Sequence, residues 1–204
     1  MKQNNGFYTL CAGAIKKALR TRLPAEELTD CMANIKAEYG RIVPDFPEVG
    51  RNTLTDMAYL GCLFLAIYTG SENRFTPSEM EEVYDAVLAR FKWMFGIVDL
   101  NKGWAQKKLR HEADGYQKWL DEHGSDYPDK WEMHLADCGG KGMKFVFTKC
   151  PLRDYCEKAG CLEVLPAICH SDFVMCEMMH SRLVRTTTLA SGDCCDFWMM
   201  GDTE

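Results

Sequence analysis

Apolar residues recur at helical spacing over the first ~127 residues and then give way to alternation, so the pattern predicts helices first and strands later. Residues 7–20 make a short amphipathic candidate. A second helix is expected to enter through Pro24, where a first-turn proline belongs, with Glu26 and Glu27 favouring the helix N-terminus. Tyr39-Gly40 reads as its stop, and residues 42–50, with two prolines, read as a loop. Asn52 or Thr53 can cap the next helix. Its Leu54, Met57, Ala58, Gly61, Leu65 and Tyr68 are apolar almost all round, which predicts a central buried helix.

The sharpest boundary is Thr76-Pro77-Ser78-Glu79: a threonine N-cap, proline at the first helical position and glutamate three residues after the cap form a capping box. Behind it Met80, Val83, Val87, Leu88, Phe91 and Met94 keep helical spacing. Residues 104–122 predict a more polar helix, with Gly115 as a weak point. Its basic cluster of Lys107, Lys108, Arg110 and His111 reads as a solvated face.

Past residue 127 the period shortens. Residues 131–136 alternate, 139–142 form a glycine-rich turn and 145–148 have strand composition, together predicting a hairpin. Pro151 ends that strand, a short helix over 152–158 closes at Gly160, and a second over 165–179 enters through Pro166. A threonine-rich strand over 182–189, a turn at Ser191-Gly192-Asp193 and a strand over 195–199 predict a second hairpin. The fold class is therefore α+β: an N-terminal, bundle-like helical region over 1–127, then a cysteine-rich α+β region over 128–204. Two hairpins build a small antiparallel sheet in that second region, with two helices packed on it. One compact unit is expected, since 204 residues suit a single domain.

Charge and composition narrow the function. A net charge of −6 and a pI near 5.4 argue against a nucleic-acid footprint and against docking on anionic lipid. The N-terminus has no h-region followed by a cleavage site, and the most apolar run, 57–68, is too short to span a bilayer. A cytoplasmic protein is expected, acting on a small molecule, with no nucleic-acid or membrane partner; a homo-oligomer is compatible with this composition. The eleven cysteines then read as free thiols in a reducing compartment rather than a disulfide framework.

Eight of the eleven lie between Cys138 and Cys195. One reading is a zinc ion or iron–sulfur cluster, since thiolates are soft ligands, but no C-x₂-C pair occurs and the run Cys150-x₅-Cys156-x₄-Cys161-x₇-Cys169 has no standard spacing. Another is a cysteine nucleophile. Cys150 stands before Pro151 at a helix N-terminus, where the dipole favours thiolate; His170 and Asp172 could supply a base and its orienter, and Arg185 could hold a carboxylate. The third is plain packing, which suits Cys156, Cys161, Cys176 and Cys194, as well as Cys11, Cys31 and Cys62 on helical stretches. No Walker loop, dinucleotide G-x-G-x-x-G, H-E-x-x-H or G-x-S-x-G occurs.

Thr148-Lys149-Cys150-Pro151, Cys169-x-x-Asp172 and Arg185-Thr-Thr-Thr-Leu-Ala-Ser-Gly192-Asp-Cys-Cys195-Asp196-Phe197 resemble the L-2-amino-thiazoline-4-carboxylic acid hydrolase family, and Asn52-x-Leu54-x-Asp56 is similar too. The T-L-A-x-G-x-x-C-x-F element is the most specific piece. The resemblance implies hydrolysis of a cyclic amidine thioether to an N-carbamoyl amino acid without a cofactor. It implies Cys150, Cys169, Asp172 and Cys195 as catalytic candidates, and Arg185 and His170 as substrate-binding ones. The alternative is a non-catalytic module that binds or senses a small ligand, a metal or an iron–sulfur cluster.

Overall fold

The computed structural model describes residues 1–139 and 142–203. Among these residues eight α-helices and four strands follow one another as α1 (Gly6–Leu19), α2 (Ala25–Asp45), α3 (Thr55–Gly70), α4 (Pro77–Leu88), α5 (Lys92–Phe95), α6 (Gly103–His123), β1 (Glu132–Ala136), β2 (Met143–Lys149), α7 (Pro151–Ala159), α8 (Leu165–Met178), β3 (Ser181–Val184) and β4 (Cys195–Gly201). The α+β class, helices first and a small antiparallel sheet later, is what the hydrophobic pattern predicts. The expected turn over 139–142 includes Gly140 and Lys141, which lie outside the described residues.

α3 is the axis of the helical half: Ala58 and every residue from Leu60 to Tyr68 is buried. It runs along α2, and Gly70 allows the closest approach, because a side chain there would meet the Ile35 backbone at 2.6 Å. α2 itself corrects the sequence reading. Its apolar stripe of Leu28, Cys31, Ile35, Tyr39, Ile42 and Val43 stays buried past Gly40, and that burial carries the helix on to Asp45. Pro44 costs only the bond its missing N–H would have made, and it falls one residue from the helix end.

The capping box at Thr76 is formed as expected, with the Glu79 amide donating to Thr76 Oγ1 and the Glu79 carboxylate accepting from the Thr76 amide at 2.8 Å. The helix behind it is shorter than predicted. α4 ends at Leu88, a 3₁₀ turn spans Ala89–Phe91, and Met94 on the following short α5 is exposed. The Leu100 amide bonds the Met179 carbonyl at 3.0 Å and ties this irregular stretch to the end of α8.

The strands pair in the order β1-β2-β4-β3, all antiparallel. Register places Met133 opposite Phe147, Phe147 opposite Cys195, Phe145 opposite Phe197 and Met143 opposite Met199, so these side chains share one face. Glu132 and His134, at alternate positions of β1, are exposed. α8 packs on β3 and α4, and α6 on β1. The second hairpin differs from expectation. β3 stops at Val184 because Asp196 accepts the Thr186 and Thr187 amides and the Thr186 hydroxyl, each at 2.8 Å, so residues 185–194 leave the ladder as a loop. One continuous cluster of buried side chains runs from Cys11 in α1 to Met199 in β4.

Candidate active site

A cavity of about 390 Å³ lies between the helical half and the inner face of the sheet. α3, α5, α6, α7, α8 and the sheet all contribute to it, and Trp131 joins from the connection before β1. Most of its lining is apolar, as at Met57, Phe64, Leu109, Phe145, Met175 and Phe197. Cys150, Cys169, Asp172 and Cys195, the four catalytic candidates of the sequence, line this one cavity.

Each arrives from a different element. Cys150 is the N-cap of α7, where extended backbone (φ −136°, ψ 111°) turns into a helix opened by Pro151. Leu152, the second residue of α7, packs against Gly61 of α3, where any side chain would collide with it, so the absent Cβ sets how closely the Cys150 end of α7 approaches α3. Cys169 and Asp172 are three residues apart on α8 and therefore share a face. Cys195 begins β4 and points inward with Phe147 and Phe197.

Arg185, first residue of the β3–β4 loop, organises the α8 side. Its Nη1 donates to Asp172 Oδ2 at 2.8 Å and its Nη2 to the Cys169 carbonyl at 3.0 Å. The guanidinium is held between the rings of Phe173 and Phe197, 4.6 and 5.3 Å from their centroids. Its side chain is only 7% exposed, while that of Asp172 keeps 28%. The arginine thus stands behind the carboxylate, outside the cavity lining, and the carboxylate faces in. His170 is also outside the lining; its half-buried ring tilts against Phe173.

Electrostatics sort the titratable groups. Burial raises the Asp172 carboxyl to about 6, against the opposing pull of Arg185. Burial also pushes the Cys150 thiol up to about 11, although the Leu152 and Arg153 amides and the Trp131 indole favour its thiolate. The Cys169 thiol rises further, through burial and then the Asp172 charge. Cys195 is raised by burial too, but its sulfur accepts the Leu189 amide at 3.1 Å, and Arg185 pulls it down. The ionised acid of this cluster at neutral pH is Asp172; the sulfurs remain thiols.

Sequence reasoning missed the other wall. Thr53, Met57 and Leu109 carry no chemical signal by type, and only the Asn52-x-Leu54-x-Asp56 similarity pointed near them. Cys176, read as packing, also lines the cavity, its thiol raised to about 12 mainly by burial. Cys156 and Cys161 are buried and Cys194 is half-buried. Among the described residues no three His, Cys, Asp or Glu side chains converge as a metal ion would require, and no helix is long and apolar enough to cross a membrane.

A family model described as L-2-amino-thiazoline-4-carboxylic acid hydrolase matches residues 57–199, well over half the chain and all four candidates with Arg185. The chain belongs to this family. No curated protein and no solved structure matches it. Of the stretches resembling the L-2-amino-thiazoline-4-carboxylic acid hydrolases, the matched span contains those around Cys150, Cys169 and Cys195, and it begins just after Asn52-x-Leu54-x-Asp56.

Proposed function

We propose that the protein is a hydrolase that opens a small cyclic amidine of the 2-amino-thiazoline type by adding water at the amidine carbon, with Asp172 as the proton carrier. The observation that carries this reading is a carboxylate held by Arg185 at 2.8 Å and facing an apolar cavity among four thiols, with burial raising its carboxyl to about 6. A base is most useful when its pKa lies near the working pH, and burial against a cation brings a carboxylate there.

The proton ledger closes through one group. Asp172 takes a proton from water as the oxygen bonds to the carbon between nitrogen and sulfur, and passes it to the ring nitrogen. The tetrahedral adduct then expels sulfur: Asp172 removes the hydroxyl proton as the carbonyl forms and the carbon–sulfur bond breaks, and it delivers that proton to the departing thiolate. One water is consumed, and a carbamoyl group and a thiol are formed. Cys150, Cys169 and Cys195, held as thiols by burial, are weak hydrogen-bond donors toward the sulfur rather than nucleophiles. Arg185 acts through Asp172 as a positioning residue.

Turnover of 2-amino-2-thiazoline, followed as the ring-opened thiol by chromatography, tests this. Asp172→Asn is expected to lower kcat/KM by about 10²–10⁴, the usual worth of a general base, and Cys150→Ser by less than about ten-fold. Retained activity in Asp172→Asn together with loss in Cys195→Ser would replace the carboxylate by a thiolate mechanism.

A further inference from the structure

The cavity is larger and less charged than a small amino-acid-like substrate requires. At roughly 30 Å³ per heavy atom, the share of a water in the liquid, an aminothiazoline carboxylate of about nine heavy atoms takes at most about 270 Å³. The cavity offers about 390 Å³. The surplus is apolar. Met57, Met133, Met175, Met179 and Met199 all line it, and methionine walls adapt to irregular hydrocarbon. The hydroxyls of Tyr116 and Ser171, both lining residues, are turned to the carbonyls of Trp131 and Ile168.

Charge points the same way. Among the described residues no lysine, arginine or histidine lines the cavity; its acids are Asp172 and Glu112. Glu112 is exposed and pairs with Lys108 at 3.7 Å. Arg185, behind the lining, already holds Asp172 and the Cys169 carbonyl. A substrate carboxylate entering here would lose its hydration, find no cation and meet a carboxylate; such burial of an unpaired charge is strongly unfavourable. A neutral or protonated amidine with an apolar substituent meets neither obstacle, and its cationic form is attracted to Asp172.

We infer that the substrate is a cyclic amidine bearing an alkyl or aryl group in place of a carboxylate, with that group seated against the methionine wall. This rests on the reading of Asp172 as the group that meets the amidine. The test is a series of 2-amino-2-thiazolines carrying methyl, propyl, hexyl or phenyl at ring carbon 4, compared with L-2-amino-thiazoline-4-carboxylate. Binding is measured by calorimetry and turnover separately.

Affinity is expected to rise about three- to four-fold per added methylene until the cavity fills, and the hexyl compound to bind at least ten-fold more tightly than the carboxylate. Met175→Trp, which fills the wall, should abolish the length dependence, and Met175→Leu should keep it, separating loss of space from loss of fold. A flat series, or tighter binding of the carboxylate, overturns the inference even if that compound is hydrolysed, and hydrolysis would then leave the proposed reaction standing. Length-dependent binding that Met175→Trp removes, without turnover of any member, would remove the hydrolase reading and keep the apolar amidine as the ligand of this cavity.

Discussion

Asp172 and Arg185 are thirteen residues apart, on a helix and a loop, and their contact decides the chemistry available at neutral pH. A base must be ionised to work, so kcat/KM should rise with pH through about 6 and level off above it. Arg185→Met removes the group that pulls this carboxyl down. The midpoint of the limb is then expected to move above 6, with about ten-fold lower kcat/KM at acidic pH per unit moved; an unmoved midpoint would refute the pairing as the cause. Stability follows the same group with the opposite sense. Its folded pKa exceeds the ordinary carboxylate value of about 3.9, so its contribution is full below about pH 4 and is lost as pH rises through about 6. From sequence, Cys150, Cys169, Asp172 and Cys195 could be picked out because their types and motif order carry chemistry. That Arg185 faces a protein carboxylate could not, because a partner on α8 is a fact of packing.

Two helix glycines show how elements decide what a residue is worth. Gly115 of α6 has nothing within 4 Å of where a side chain would stand, so Gly115→Ala should stabilise by about 0.5–1 kcal/mol through helix propensity alone. Gly70 of α3 faces the Ile35 backbone, and Gly70→Ala should cost about 1–3 kcal/mol through overpacking between α2 and α3. Urea unfolding of both variants checks the signs; equal signs would contradict the packing described. The elements themselves were legible where local chemistry is decisive, as at the Thr76 capping box and at Pro151 opening α7. They were misread where a longer-range interaction wins. Gly40 did not stop α2, since burial of Ile42 and Val43 outweighs one glycine. The threonines after Arg185 favour a strand by propensity but bind Asp196 instead.

At the scale of the molecule, the cavity belongs to neither half of the chain, being walled by α3 and α6 on one side and by α8 and the sheet on the other. Thiol chemistry can report its closure. Seven cysteines are buried, Cys138 and Cys194 are half-buried outside the cavity lining, and Cys150 and Cys169 face the cavity. Brief alkylation at pH 8 should therefore mark Cys138 and Cys194 first. With a pKa about 11, Cys150 is thiolate to only about one part in a thousand there and should lag by about two orders of magnitude. All eleven react once the chain unfolds. Peptide mass spectrometry reads this directly, and rapid labelling of Cys150 would show a thiolate that the buried geometry does not favour.

The strand order bears on how the protein is made. β4, made after the other three strands of the sheet, lies between β2 and β3 and is the sheet neighbour that holds β3 in place. The 45 residues from 150 to 194 separate β2 from β4, a delay of about 2–9 s at about 5–20 residues per second. Throughout that interval the nascent chain displays Phe145 and Phe147 with no β4 beside them. β4 then has to slide between two waiting edges, and a holding chaperone would have most to protect in those seconds.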